Sequence, residues 1–128
     1  MHRLDLAVLD GKYAVVRLSS EAEIPNWAYG GSFLSITKTD DELSVVCKMA
    51  SVPPNHVVES NWRIIKVVGP LDFSLTGILA GISQPLADHR ISIFAISTYD
   101  TDYILVKDEQ LADAIAVLNR EGHKFANG

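Results

Sequence analysis

Apolar positions along this chain fall mostly into short alternating runs, and only twice into the spacing of a helix. Leu4–Leu9 alternates and predicts a strand. Asp10-Gly11 follows, a dipeptide suited to a tight reversal, so Tyr13–Leu18 is expected to fold back on it as a second strand, with Asp10-Gly11-Lys12 at the tip. Phe33–Thr37 and Leu43–Lys48 read as another hairpin around Lys38–Glu42, Trp62–Val68 as a strand, and Ile91–Ile96 and Tyr103–Val106 as the last two. Ser19–Tyr29 has weak helical character. Ser20 offers a cap, Glu21 and Glu23 sit in the first turn, Pro25 fits only near the start, and Gly30-Gly31 closes the segment.

The helical period is clear in Phe73–His89, where Leu75, Ile78, Leu79, Ile82 and Leu86 recur on one face. Asp72 or Ser74 is expected to cap this helix. Pro85 should kink it, because proline removes the backbone bond to Gly81. A last helix is predicted after Asp108, with Leu111, Ile115 and Leu118 inward and Gly122 as its stop.

The plan repeats. Ser32–Thr37 aligns without gaps on Ser92–Ser97, 60 positions later; at the same offset Asp40 falls on Asp100, Glu42 on Asp102 and Val46 on Val106. Residues 1–62 and 63–128 are therefore expected to be two related halves. Each reads β-α-β-β-α, the first with degraded helices. A strand–helix–strand crossover beside hairpins predicts an α+β fold: tandem ferredoxin-like (βαββαβ) units, antiparallel sheets with helices on one face.

Composition narrows the function. A net charge of −5 and the lack of a lysine/arginine cluster exclude a nucleic-acid surface, and the acidity reads as favouring solubility. The apolar runs fall far short of the ~20 residues that span a bilayer, and the N-terminus has no signal-peptide run. Cys47 is the only cysteine and lies in a strand pattern, so it reads as a small core residue in a reducing cytoplasm. Gly30-Gly31 lacks the lysine of a phosphate loop. The glycine pair Gly77 and Gly81 reads as close helix packing. None of His2, His56, His89 and His123 has a metal-ligand spacing, and His89 and His123 read as cations near helix ends. Asp100-Thr101-Asp102 lacks the further oxygens a Mg²⁺ or Ca²⁺ site needs. No nucleophile sits on a glycine-flanked elbow. No catalytic residue, metal or cofactor is expected.

Two places remain. Asp72–Gly77 brings an acid, hydroxyls and a glycine to the start of a helix, where free N–H groups favour a carboxylate and a glycine permits close approach. Thr98, Asp100 and Asp102 supply acceptors for an ammonium group. Together these suit an α-amino acid. On the residues alone, a capped helix beside a polar hairpin accounts for them slightly better.

The run Phe73-Ser74-Leu75-Thr76-Gly77-Ile78-Leu79, then Pro85-Leu86-Ala87, then Ile91–Val106 resembles an ACT domain. Within that family it is most similar to the subgroup of the CASTOR-type cytosolic arginine sensors and small bacterial stand-alone ACT proteins. The resemblance runs from Ile64 to the C-terminus; the first half resembles a divergent ACT unit only through the repeat. It implies regulatory binding of a small molecule, usually an amino acid, where the strand-to-helix loop of one unit faces a strand of its neighbour. Thr76, Gly77 and Ile78 would offer backbone groups, and Asp72 matches the acid that opens the loop. Thr98, Tyr99 and Asp102 match the ligand-facing strand end, Asp102 meeting a cationic group. The usual Asp-x-Pro-Gly is replaced by Asp72-Phe73-Ser74-Leu75-Thr76-Gly77, which displaces the glycine. The sensors have four units where this chain has two, so a homodimer is implied, as is a separate regulated protein. A module that keeps the fold for protein–protein interaction and has lost its ligand is the alternative.

Overall fold

The computed structural model describes residues 3–72 and 75–126. It divides into a C-terminal unit, Met1–Asp10 with Arg63–Gly128, and an N-terminal unit, Gly11–Trp62.

In the C-terminal unit, β1 (Asp5–Val8) lies antiparallel to the later part of β5 (Val57–Val67), with Leu6 opposite Val67. β6 (Phe94–Ser97) and β7 (Asp102–Lys107) form a hairpin, and β7 pairs with β5. The short β8 (Lys124–Phe125) runs parallel to β1 at the other edge. Two helices, α1 (Ile78–Asp88) and α2 (Leu111–Arg120), cover one face. Ile82 and Leu86 from α1 and Ala114, Val117 and Leu118 from α2 pack on Leu6, Ile65, Val67, Ile104 and Val106. Positions 65 and 67, and 104 and 106, alternate along their strands, so one sheet face meets both helices.

The helix boundaries differ from expectation for local reasons. α1 starts at Ile78, not near Phe73, because Gly77 has φ +77 and the helical path cannot pass through it. Gly77 is the residue that precedes the helix and no side chain caps it; of the two expected caps, Asp72 lies outside the helix and Ser74 outside the described residues. Pro85 is tolerated: the helix continues to Asp88 and buries it. Asp108 opens a 3-10 turn, Asp108–Gln110, and its carboxylate takes Arg63 at 3.3 Å instead of capping α2. With the helix beginning at Leu111, Ala114, Val117 and Leu118 become its buried positions, while Leu111 and Ile115 are half-buried. Gly122, at φ +99, follows its end as expected.

Asp10-Gly11 does not make a hairpin. β1 pairs with the end of β5, and β2 (Tyr13–Leu18) pairs with its beginning, Arg17 opposite Val57. A reversing dipeptide sets the turn but not the partner.

In the N-terminal unit the order is β3 (Ser35–Lys38), β4 (Leu43–Lys48), β2, β5. β2 and β4 are antiparallel from Tyr13–Lys48 to Leu18–Leu43. The weak helix shrinks to a 3-10 turn, Asn26–Ala28, behind Pro25. Ser19, not Ser20, organises the approach, accepting from the N–H of Glu21 at 3.2 Å. Ala14, Val16, Ala28, Leu43, Val45 and Cys47 form this unit's core. Burial pushes the Cys47 thiol above its ordinary value, as suits an inert core residue. Both units are thus ferredoxin-like, and the α+β class holds.

His123 is not a surface cation. It is 2% exposed, and its Nδ1 accepts the Leu4 N–H at 3.1 Å. Its Nε2 has no hydrogen-bond partner among the described residues. Burial lowers its pKa from the ordinary 6.5, against weaker opposing pulls from the Gly81 backbone and Glu121. A histidine depressed in this way stabilises the fold fully above its unfolded value, and that stability is lost as pH falls below 6.5 towards the folded value. Urea unfolding between pH 7.5 and 5.5 should therefore show a falling midpoint, and His123→Gln should flatten it; equal slopes would mean other groups carry the dependence.

Candidate functional site

The β6–β7 hairpin closes with Ser97 opposite Asp102. Thr98 organises the four-residue turn: its N–H donates to the Thr101 carbonyl at 2.9 Å, and its Oγ1 to the same carbonyl at 3.1 Å. Ser97 donates its hydroxyl to the Asp102 carboxylate. Thr101 is buried and donates its hydroxyl to the Val67 carbonyl at 2.6 Å, which ties the turn to the end of β5.

The loop leaving β5 is latched to that turn. The Leu71 N–H donates to the Asp100 carbonyl at 2.7 Å. The contact needs Gly69, since a Cβ there would stand 3.2 Å from the Asp100 carbonyl oxygen and 3.0 Å from the Leu71 nitrogen. Beyond the latch, Leu75 N–H bonds the Asp72 carbonyl at 3.0 Å, and Gly77 turns the chain into α1.

Between loop and turn lies a pocket of about 210 Å³, with Leu71, Asp72, Leu75 and Ile78 on one wall and the turn from Ser97 to Asp102 on the other. Its charged groups are the three carboxylates of Asp72, Asp100 and Asp102, with no lysine, arginine or histidine among the lining residues. Two apolar side chains stand exposed at its mouth, Leu75 at 41% and Tyr99 at 80%. The arrangement suits a small molecule with a cationic end and some apolar body.

Of the residues singled out in the sequence, Asp72, Ile78, Thr98, Tyr99, Asp100 and Asp102 come together here. Thr76 and Gly77 do not line the pocket. Gly77 has a positive φ, and that conformation is what requires glycine there. A Cβ at Gly81 is equally unopposed, so the glycine pair is not a packing notch. Leu75 had the helical period but precedes the helix and faces the pocket. Thr101 gave no signal of its own in the sequence.

The repeat is real in structure but shifted by one. β3, β4 and the 3-10 turn Met49–Ser51 recur as β6, β7 and Asp108–Gln110, with the same lengths and each 59 positions later. Asp41, not Asp40, is thus the counterpart of Asp100, and Leu43, not Glu42, that of Asp102. His89 holds a position at the end of α1, its Nδ1 2.9 Å from the Pro85 carbonyl and its Nε2 3.5 Å from Arg120. Among the described residues no group of three or more histidine, cysteine, aspartate or glutamate side chains is placed to hold a metal. No helix among them is long and apolar enough to cross a membrane.

The C-terminal unit runs β5-α1-β6-β7-α2, a ferredoxin-like order, with the pocket between its strand-to-helix loop and the β6–β7 turn. The ACT domain profile matches residues 57–120, and the chain belongs to the ACT domain family. A second profile, of an N-terminal domain, matches residues 11–55. The cytosolic arginine sensor for mTORC1 subunit 1 from Bos taurus is 31% identical over an alignment of 100 residues that covers 70% of this chain. The chain spans only about 30% of that relative's length. A crystal structure of a protein from Agobacterium tumefaciens is 41% identical, with a TM-score of 0.92 over 98% of this chain and 93% of that one. The regulatory subunit of aspartate kinase from Thermus thermophilus shares the fold at a TM-score of 0.63 and 12% identity, over 91% of this chain and 96% of that one.

Proposed function

We propose that this protein is an amino-acid-binding regulatory module, a C-terminal ACT domain with a divergent ACT-like N-terminal half, and that it has no catalytic role of its own. The observation that carries the reading is the acidic pocket of about 210 Å³ between the Leu71–Ile78 loop and the Ser97–Asp102 turn. The ligand's ammonium or other cationic group lies against Asp72, Asp100 and Asp102, its apolar part against Leu75, Ile78 and Tyr99, and its carboxylate towards the backbone at the start of α1 around Thr76, Gly77 and Ile78. Basic and small polar amino acids bind better than acidic ones, since a second carboxylate would face three others. The relatives named as cytosolic arginine sensors support both the ligand class and a cytoplasmic setting. The exposed Leu75 and Tyr99 at the mouth support completion of the site by a second copy, and so a homodimer. Binding acts allosterically on a separate protein partner.

A thermal-shift screen against the twenty amino acids at millimolar concentration tests the reading. A ligand at about 100 times its dissociation constant adds roughly 2.7 kcal/mol, and arginine or lysine should give a clear rise where glutamate gives none. A flat response to all twenty would leave the ligand-free interaction module as the function.

A further inference from the structure

His123 joins three elements of the C-terminal unit from the inside. Its N–H donates to the Leu118 carbonyl at 3.1 Å, which fixes the residue behind the end of α2. Its Nδ1 accepts the Leu4 N–H at 3.1 Å, and the ring is 2% exposed. The bonds that follow zip β8 to β1: Lys124 N–H to the Leu4 carbonyl at 2.9 Å, and Ala126 N–H to the Leu6 carbonyl at 2.7 Å. A neutral imidazole that accepts at Nδ1 carries its proton on Nε2. That buried N–H has no hydrogen-bond partner among the described residues. The backbone that acts on the ring is that of Gly81 in α1, whose carbonyl lacks the helical donor that Pro85 cannot supply.

We propose that His123 is an acid-released latch: a second proton on the ring enters at Nδ1, sets one donor against another, expels the Leu4 N–H and opens the β1–β8 edge while the rest of the fold stays closed. The charged and titratable side chains on the elements around the ring are Arg3 and Asp5 on either side of Leu4, Lys124 in β8, Asp88 and His89 at the end of α1, and Arg120 and Glu121 at the end of α2. Of these, Glu121 is the one that acts on the ring, and its influence is smaller than that of burial. A protonated His123 is therefore a buried cation with too little compensation, and opening returns it to water. Burial keeps the closed ring neutral at pH 7, so opening sets in as pH falls below the ordinary 6.5. A pocket of about 190 Å³, lined by Arg3, Leu4, Asp5, Gly122 and Lys124, lies beside the latch and brings solvent to it. β8 pairs through two residues only, so it is the part of the sheet that opens most readily.

Amide hydrogen exchange on the full, ligand-free chain tests this. It is read by NMR as protection factors at pH 7 and pH 5, which divides out the intrinsic pH dependence of exchange. Protection at Leu4, Lys124 and Ala126 should fall by about threefold or more. The ceiling is about 25-fold, the advantage that an open-state imidazole with the ordinary value of 6.5 gains over that range. Protection at Ile104 and Val106, in the buried strand β7, should stay within about twofold. His123→Asn offers a side-chain oxygen that accepts the Leu4 N–H without titrating, so it should keep the three amides protected at both pH values. His123→Gln takes its place if the asparagine variant fails to fold. Absence of protection at pH 7, unchanged protection at pH 5, an equal fall at Ile104 and Val106, or a fall of wild-type size in a folded variant would each overturn the proposal. With no ligand present, the outcome is independent of what the pocket binds.

Discussion

Asp102→Asn is expected to leave the free protein folded and to remove most of its stabilisation by amino acids. Asp102 is half-buried at the pocket wall, and its carboxylate accepts the Ser97 hydroxyl. An asparagine oxygen can accept that same bond, so the hairpin keeps its closure and only the negative charge is lost. A charge-assisted bond from a ligand's cationic group is about twice as strong as a neutral one, and it is the contact a neutral amide reproduces worst. At arginine 100 times the wild-type dissociation constant, the gain of roughly 2.7 kcal/mol should therefore shrink to about 1 kcal/mol. Asp102→Ala also loses the Ser97 bond and should cost the free protein about 0.5–1.5 kcal/mol. Comparing the two separates charge from scaffolding. If Asp102→Asn keeps the full ligand shift, Asp102 is a hairpin residue and the cation sits elsewhere.

How far the sequence carried depended on whether an element is fixed locally. β7 and the later part of β5 were legible because Ile104-Leu105-Val106 and Ile64-Ile65 are continuous apolar runs, which a strand between two covered faces requires; residues 57–61 of β5, mostly exposed, carry no such run. Six of the eight candidate residues converge on one pocket because the turn 97–102 and the loop at Asp72 were both marked by polar residues at the ends of apolar runs. What stayed hidden is decided at long range. Nothing near Asp10-Gly11 says that β1 and β2 both prefer β5 to each other. Leu75 keeps helical spacing with Ile78 and Ile82, yet one glycine in the left-handed conformation between them takes it out of the helix. The repeat was visible, but its offset read one residue too long because the Ser-x-x-x-Ile matches, Ser32 with Ser92 and Ile36 with Ile96, outweighed strand register. Only hydrogen bonding across each hairpin fixes Lys38 on Leu43 and Ser97 on Asp102.

Thr101→Val is the change expected to damage stability and ligand response together. Thr101 is 5% exposed and its hydroxyl reaches the Val67 carbonyl at 2.6 Å, in the last residue of β5. Valine keeps the shape and removes the donor, so a buried carbonyl loses this partner at a cost of about 1–3 kcal/mol. For a chain of this length that lowers the melting temperature by about 3–5 °C per kcal/mol. The loss does not stop at stability. The same bond holds the turn against the end of β5, and the next residues, Gly69 to Leu71, are latched to that turn through the Asp100 carbonyl. Once the turn shifts, both walls of the pocket shift with it. Affinity for arginine should fall beyond what lower stability explains, measured by titration at 15 °C where the variant remains folded. Thr101→Ser retains the hydroxyl and gives up only a methyl, so it should recover most of the binding. If the serine variant binds as poorly as the valine one, packing of the methyl, and not the hydroxyl's hold on β5, is what shapes the pocket.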